Sequence, residues 1–242
     1  MLYTLFSPSE GKHHGGSGTP LNHLLFGMDA RQEILHAYNS VVTSGDMDAI
    51  KSLFGYKKAS DCEPYIGDLF STPTMPAIER YDGVAYDYLD TASLDDSAMA
   101  YLYNHALIFS NLFGPIMGGD LISDYKVKQG NAIGGIAPDL YYKKACSEAL
   151  DAMLEGHEIL DLRAGYYDKF YKPSHPFTTL KFMKEGKVVS HWAKAYRGTV
   201  LRHLALNSVD SLEAFMKLEI EGLMVNEIRK MKNKTEIVFD IV

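Results

Sequence analysis

Short apolar runs of strand length alternate with helix-length segments along this chain, but irregularly, with hairpin signals gathered towards its end. Leu2–Phe6 reads as a buried strand stopped by Ser7-Pro8, and Ala106–Phe113 and Glu158–Leu162 repeat the signal. Between them lie helical patterns. Asp29 opens one that carries Ile34, Leu35, Tyr38 and Val41 on its apolar side to about Val42, and Asp46 opens a shorter one ending near Phe54-Gly55. Ala98–Tyr103 and a segment from Pro138 to about Leu154 are further helices, while three prolines make residues 63–80 a long loop or crossover. Thr178–Met183 and Val188–Ser190 form a hairpin around Glu185-Gly186-Lys187, and Ile228–Lys230 and Glu236–Ile241 another around Asn233-Lys234. Strands separated by helices call for a parallel sheet, and the hairpins add antiparallel edges. The expectation is a single mixed α/β domain over residues 1–242, a central mixed sheet surrounded by helices, with length enough for a substantial core.

One helix departs from ordinary composition. Ser190–His203 wound at about 100° per residue places His191, Lys194, Gly198 and Arg202 on one face, with Tyr196, Val200 and Leu204 opposite. A glycine inside a helix costs roughly 1 kcal/mol against alanine. Its retention at Gly198 points to close approach of another backbone, or of an anion, to the helix surface. Residues 181–203 hold six cations against the single acid Glu185, a local charge of +5 in a chain whose net charge is −7. The remainder is therefore strongly acidic, which excludes a generally basic nucleic-acid coat and confines any polyanion contact to this patch. A second basic run, Arg229, Lys230, Lys232 and Lys234, reads as a solvated face.

Two cysteines far apart, Cys62 and Cys146, fit a reducing compartment rather than a disulfide framework. No window reaches membrane-spanning length, so a cytoplasmic protein without a membrane partner is expected. Ser9-Glu10-Gly11-Lys12 follows the first strand as a phosphate loop would. However, the glycine required five residues before the Gly-Lys pair is Phe6, and His13 stands where Ser or Thr must follow the lysine. Lys12 still places a charge at a strand end, where α/β proteins bind ligands. His13, His14 and His23 lack a diagnostic partner spacing, so no metal and no cofactor is expected. Asp82, among aromatics, and Asp120, after a glycine-rich break, are the acid–base candidates. Lys126 and Arg163 are further cations placed to line a cleft.

Taken in order, these segments resemble the YaaA family of bacterial peroxide-stress proteins. The blocks are Ser7-Pro8 with the loop to Lys12, then Tyr81-Asp82-Gly83-Val84-Ala85-Tyr86 with Leu89-Asp90. Leu112-Phe113-Gly114 with Asp120-Leu-Ile and Tyr125-Lys126 follows, and Ala193-Lys194-x-x-Arg197-Gly198 with Arg202 closes the series. Met117-Gly118 replaces a frequent Arg-Pro of the family, and Ala195 and Tyr196 replace a lysine and an alanine. The resemblance implies a mixed α/β fold with a cationic cleft, binding of double-stranded or branched DNA, and protection from iron-linked oxidative damage. It also implies a helix-hairpin-helix element, which falls at the helix ending near Leu206, the Asn207–Asp210 turn and a helix over Ser211–Leu218.

Two functions are therefore carried forward. In the first, Lys194, Arg197 and Arg202 contact DNA phosphates, supported by Lys12 and Lys126. In the second, an enzyme acts on a small phosphorylated or nucleotide-like ligand, with Ser9, Lys12, Lys126, Lys194 and Arg197 converging on a pocket and Asp82 or Asp120 moving the proton.

Overall fold

A computed structural model of the chain describes residues 1–242 apart from Gly18, Pro20 and Asn22 and the side chains of Ser190 and His191. The first half holds β1 (Leu2–Phe6), β2 (Gly11–Lys12), α1 (Gln32–Val42), α2 (Met47–Phe54), β3 (Thr74–Pro76), α3 (Ala77–Arg80), β4 (Tyr81–Asp82) and α4 (Val84–Leu89). Next come α5 (Asp96–His105), β5 (Ala106–Ser110), β6 (Gly114–Met117), β7 (Leu121–Ser123), α6 (Pro138–Leu154) and β8 (Glu158–Asp161). The remainder is β9 (Phe177–Lys184), β10 (Lys187–Val188), α7 (Ser190–Leu206), α8 (Leu212–Phe215), β11 (Leu223–Lys230) and β12 (Lys234–Ile241).

The mixed α/β architecture is the expected one. The main sheet runs β11-β12-β9-β8-β1-β5-β6, with β10 hung on β9. Its inner five strands, from β12 to β5, are mutually parallel, and the antiparallel pairs stand at the margins. β1 and β5 are buried nearly throughout, as parallel strands covered on both faces must be. Leu5, Phe6, Leu107, Phe109, Ile159 and Leu160 form the middle of the core.

Local signals worked where their chemistry was self-contained. Asp46 accepts the Asp48 and Ala49 N–H groups at 3.0 and 3.1 Å, and Gly55 closes α2 at φ 75°. Glu185 and Gly186, at φ 51° and 74°, make the left-handed two-residue turn between β9 and β10.

Tertiary contacts moved other boundaries. The apolar run Ala106–Phe113 breaks after Ser110, whose hydroxyl accepts the Leu112 and Phe113 N–H groups and turns the chain into β6. Asp29 does not cap α1. It lies in a 3-10 turn, Asp29–Arg31, because the buried Arg31 guanidinium donates to the Leu25, Gly27, Phe113 and Pro115 carbonyls. The helix expected over Ser211–Leu218 is the single turn α8, capped by Ser211 and tightened by Lys217 and Leu218 bonding three residues back. Among the described residues no helix is long and apolar enough to cross a membrane.

Candidate anion-binding cleft

From the central β1 the chain passes to β5 on one side and later to β8 on the other. The loops leaving β1 and β8 therefore diverge, which opens a crevice at the carboxyl ends of the strands. A cleft of about 370 Å³ lies there. Its lining is Phe6 to Glu10 after β1, Gly83 to Tyr86 at the start of α4, Gln129, then Leu162, Ala164 and Tyr167 after β8, and Lys194 and Arg197 from α7. Ser7 fastens the two loops: its hydroxyl accepts the Ala164 N–H at 2.8 Å and its carbonyl accepts the Tyr86 hydroxyl at 2.9 Å. Gly83, at φ 137°, keeps Ser9 close, since a Cβ there would stand 2.7 Å from the Ser9 hydroxyl.

The expected cations divide sharply by what holds them. Arg163 is buried and committed: two of its nitrogens meet Asp161 at 2.9 and 2.7 Å, and a third donates to the Tyr167 and Tyr171 carbonyls. Its plane lies 4.4 Å from the Phe109 ring centre. Arg202 is also occupied, donating to the Leu89 and Asp90 carbonyls and to Ser93 at the end of α4. Lys12 is buried beneath the cleft floor, with Nζ 3.9 Å from the centre of the Tyr125 ring and donating to the Ser9 and Glu10 carbonyls. Burial, with Lys126 second, lowers its pKa from 10.5 to about 7. Lys126 in turn holds Glu10 through its carbonyl at 3.3 Å and its carboxylate at 3.4 Å.

Arg197 and Lys194 differ from all of these. Arg197 is half-buried and lines both this cleft and an adjoining one of about 310 Å³. Among the described residues neither it nor the exposed Lys194 has a hydrogen-bond or ion-pair partner. Burial lowers the Arg197 pKa, with Asp161 opposing, yet a guanidinium stays charged across the physiological range.

The remaining candidates fall elsewhere. A Cβ on Gly198 would stand 1.9 Å from the Ala85 carbonyl oxygen, so the partner in close approach is the backbone of α4 and not an anion. Gly198 and Arg202 thus pack the expected cationic face onto α4, while Lys194, nearer the helix start, reaches the cleft. The side chain of His191 lies outside the described residues. On the opposite face Val200 and Leu204 are buried and Tyr196 stacks on Phe182 at 5.6 Å. Asp82 pairs through its backbone with Gly11 and lines a separate hollow beside Asp87 and Asp90. Asp120 accepts the Leu25 and Met117 N–H groups at 2.9 Å, and burial raises its pKa. Neither aspartate lines the cleft. The carboxylate that does is Glu10, one residue of the Ser9–Lys12 motif, joined by Tyr167 and Gln129 from loops that carry no periodic signal.

A sheet of parallel inner strands with a crevice at their carboxyl ends, in which the charged side chains without a partner among the described residues are the cations Lys194 and Arg197, defines a protein of the open α/β-sheet class. The chain belongs to the peroxide stress protein YaaA family, whose description matches residues 2–229. An uncharacterized protein of Campylobacter jejuni is 42% identical over 98% of both chains. A UPF0246 protein of Corynebacterium glutamicum is 35% identical over 94% of this chain and 95% of the relative. Another UPF0246 protein, of Streptomyces coelicolor, is 30% identical over 84% and 82%.

Proposed function

We propose that this peroxide-stress family protein works in the cytoplasm by binding DNA at the cleft, with phosphates on Lys194 and Arg197 and one nucleotide-sized unit against the apolar wall. The observation that carries the reading is Arg197: the fold gives the guanidinium groups of Arg31, Arg80 and Arg163 several hydrogen-bond partners each, while Arg197 has none among the described residues and lines the cavity. A duplex, whose major groove alone is about 12 Å wide, is too broad to enter a cleft of 370 Å³, so its phosphates meet Lys194 and Arg197 from the rim and only an unpaired nucleotide reaches the apolar wall. The free, buried Cys62 and Cys146 suit a reducing compartment. Limiting iron-linked oxidative damage is the outcome the family resemblance attaches to such binding. A helix-hairpin-helix contact at Asn207–Asp210 has less support, because its second helix is the one-turn α8.

The test is a folded Lys194→Ala, Arg197→Ala double variant. It is expected to bind duplex DNA more weakly at every sequence, with a log–log salt slope shallower by about two. Unchanged affinity and slope overturn the reading.

A second reading, an enzyme for a free nucleotide-like ligand, is favoured by the cleft volume and by its wall of Phe6, Tyr86, Leu162 and Tyr167. Glu10 then supplies the carboxylate, in place of Asp82 or Asp120. A thermal shift with nucleoside monophosphates but not with DNA decides for it.

A further inference from the structure

The chain has one tryptophan, and the fold leaves it in water. Trp192 stands on the first turn of α7 with 41% of its surface exposed. Burial of so large a ring stabilises a core strongly, so a tryptophan left outside is informative. One side of it is supported by Tyr196, whose ring centre is 6.4 Å away and which itself stacks on Phe182 of β9. Lys184 from the β9–β10 turn places Nζ 5.6 Å from the Trp192 ring centre. Lys184, Lys187 and Val188 of that hairpin are exposed, in the segment of the chain richest in positive charge. An aromatic plate flanked by lysines is the arrangement on which unstacked bases rest while their phosphates meet the cations.

Resting on the DNA reading of the cleft, we propose that Trp192, with Lys184 and Lys187, is a stacking platform for an unpaired nucleobase of single-stranded or locally opened DNA. Trp192 and Lys194 lie about 200° apart around α7. A strand with a phosphate at Lys194 therefore has to pass around the start of the helix, about 10–12 Å across, so the base that rests on the ring is several nucleotides further along. A closed duplex offers the phosphates but no free base face.

Because Trp192 is the sole tryptophan, its fluorescence excited at the red edge reports the site directly. The full chain is titrated with a thymidine 20-mer, a matched duplex and the same duplex with an internal unpaired loop, while anisotropy of labelled DNA measures binding in parallel. The single strand and the looped duplex are expected to quench at least half of the emission, and the matched duplex far less. Trp192→Ala is expected to weaken single-strand binding about tenfold or more, and Trp192→Phe to restore most of it. Single-strand saturation without quenching, or an unaltered affinity in Trp192→Ala, overturns the platform. If the duplex binds and the single strand does not, the platform alone fails. If neither binds, the DNA reading fails with it.

Discussion

Arg163 and Arg197 face the same small cavity beside the ends of β8 and β9, and the fold treats them in opposite ways. Arg163 is saturated by Asp161 and two carbonyls, and through Tyr167 it sets the loop that forms one wall of the cleft. Arg197 carries equal charge, is also partly desolvated, and has no partner among the described residues. The first arginine holds the crevice in shape, and the second has no such task among the described residues. Cation counts along a sequence cannot separate these roles; hydrogen-bond accounting can.

The comparison is broken most easily at its committed side. Arg163→Ala leaves Asp161 buried and unpaired, and a loss of about 3–5 kcal/mol in unfolding free energy is expected by denaturant titration. A loss under about 1 kcal/mol would mean that Arg163 is no latch. Gly198→Ala drives a methyl group against the Ala85 carbonyl and is expected to cost about 1–3 kcal/mol as α4 and α7 separate. If instead it is stable but deficient in anion binding, the close approach is functional.

Lys12 sharpens the comparison through pH. Its pKa is about 7 in the folded chain against 10.5 in the unfolded one, so between those values the unfolded chain binds the extra proton. Stability from this group therefore rises with pH across that window, by at most ~1.4 kcal/mol per unit, and is flat below it. Urea midpoints from pH 7 to 9.5 should climb in the native chain and lose that climb in Lys12→Met. Parallel slopes would remove Lys12 from beneath the cleft. The smallest effect belongs to the uncommitted side: Arg197→Ala should shift unfolding free energy by less than about 1 kcal/mol while weakening anion binding.

The legible parts of the fold were those whose cause lies within a few residues. Leu2–Phe6, the Asp46-capped helix, Pro138–Leu154 and the Glu185-Gly186 turn carry their own start and stop chemistry. Asp29 was misleading because Arg31, buried against carbonyls from distant segments, overrides the local cap. At the site, the motif containing Ser9 and the helix bearing Lys194 and Arg197 were visible as charge and spacing. Their burial was not. Lys12, Arg163 and Arg202 looked equivalent to Arg197 because sequence shows a cation and hides its acceptors. Tyr167 and Gln129 entered the cleft through loop geometry alone.

The central place of β1 has a consequence for how the chain is made. Thr4 pairs with Ala106 and Leu2 with Glu158, so β1 leaves the ribosome well before either of its neighbours. At about 5–20 residues per second, an apolar segment waits on the order of ten seconds before its second edge is covered. During that interval the crevice has no second wall. The cleft therefore cannot form until β8 and the loop after it have been made, and β1 depends on whatever shelters an open edge in the meantime.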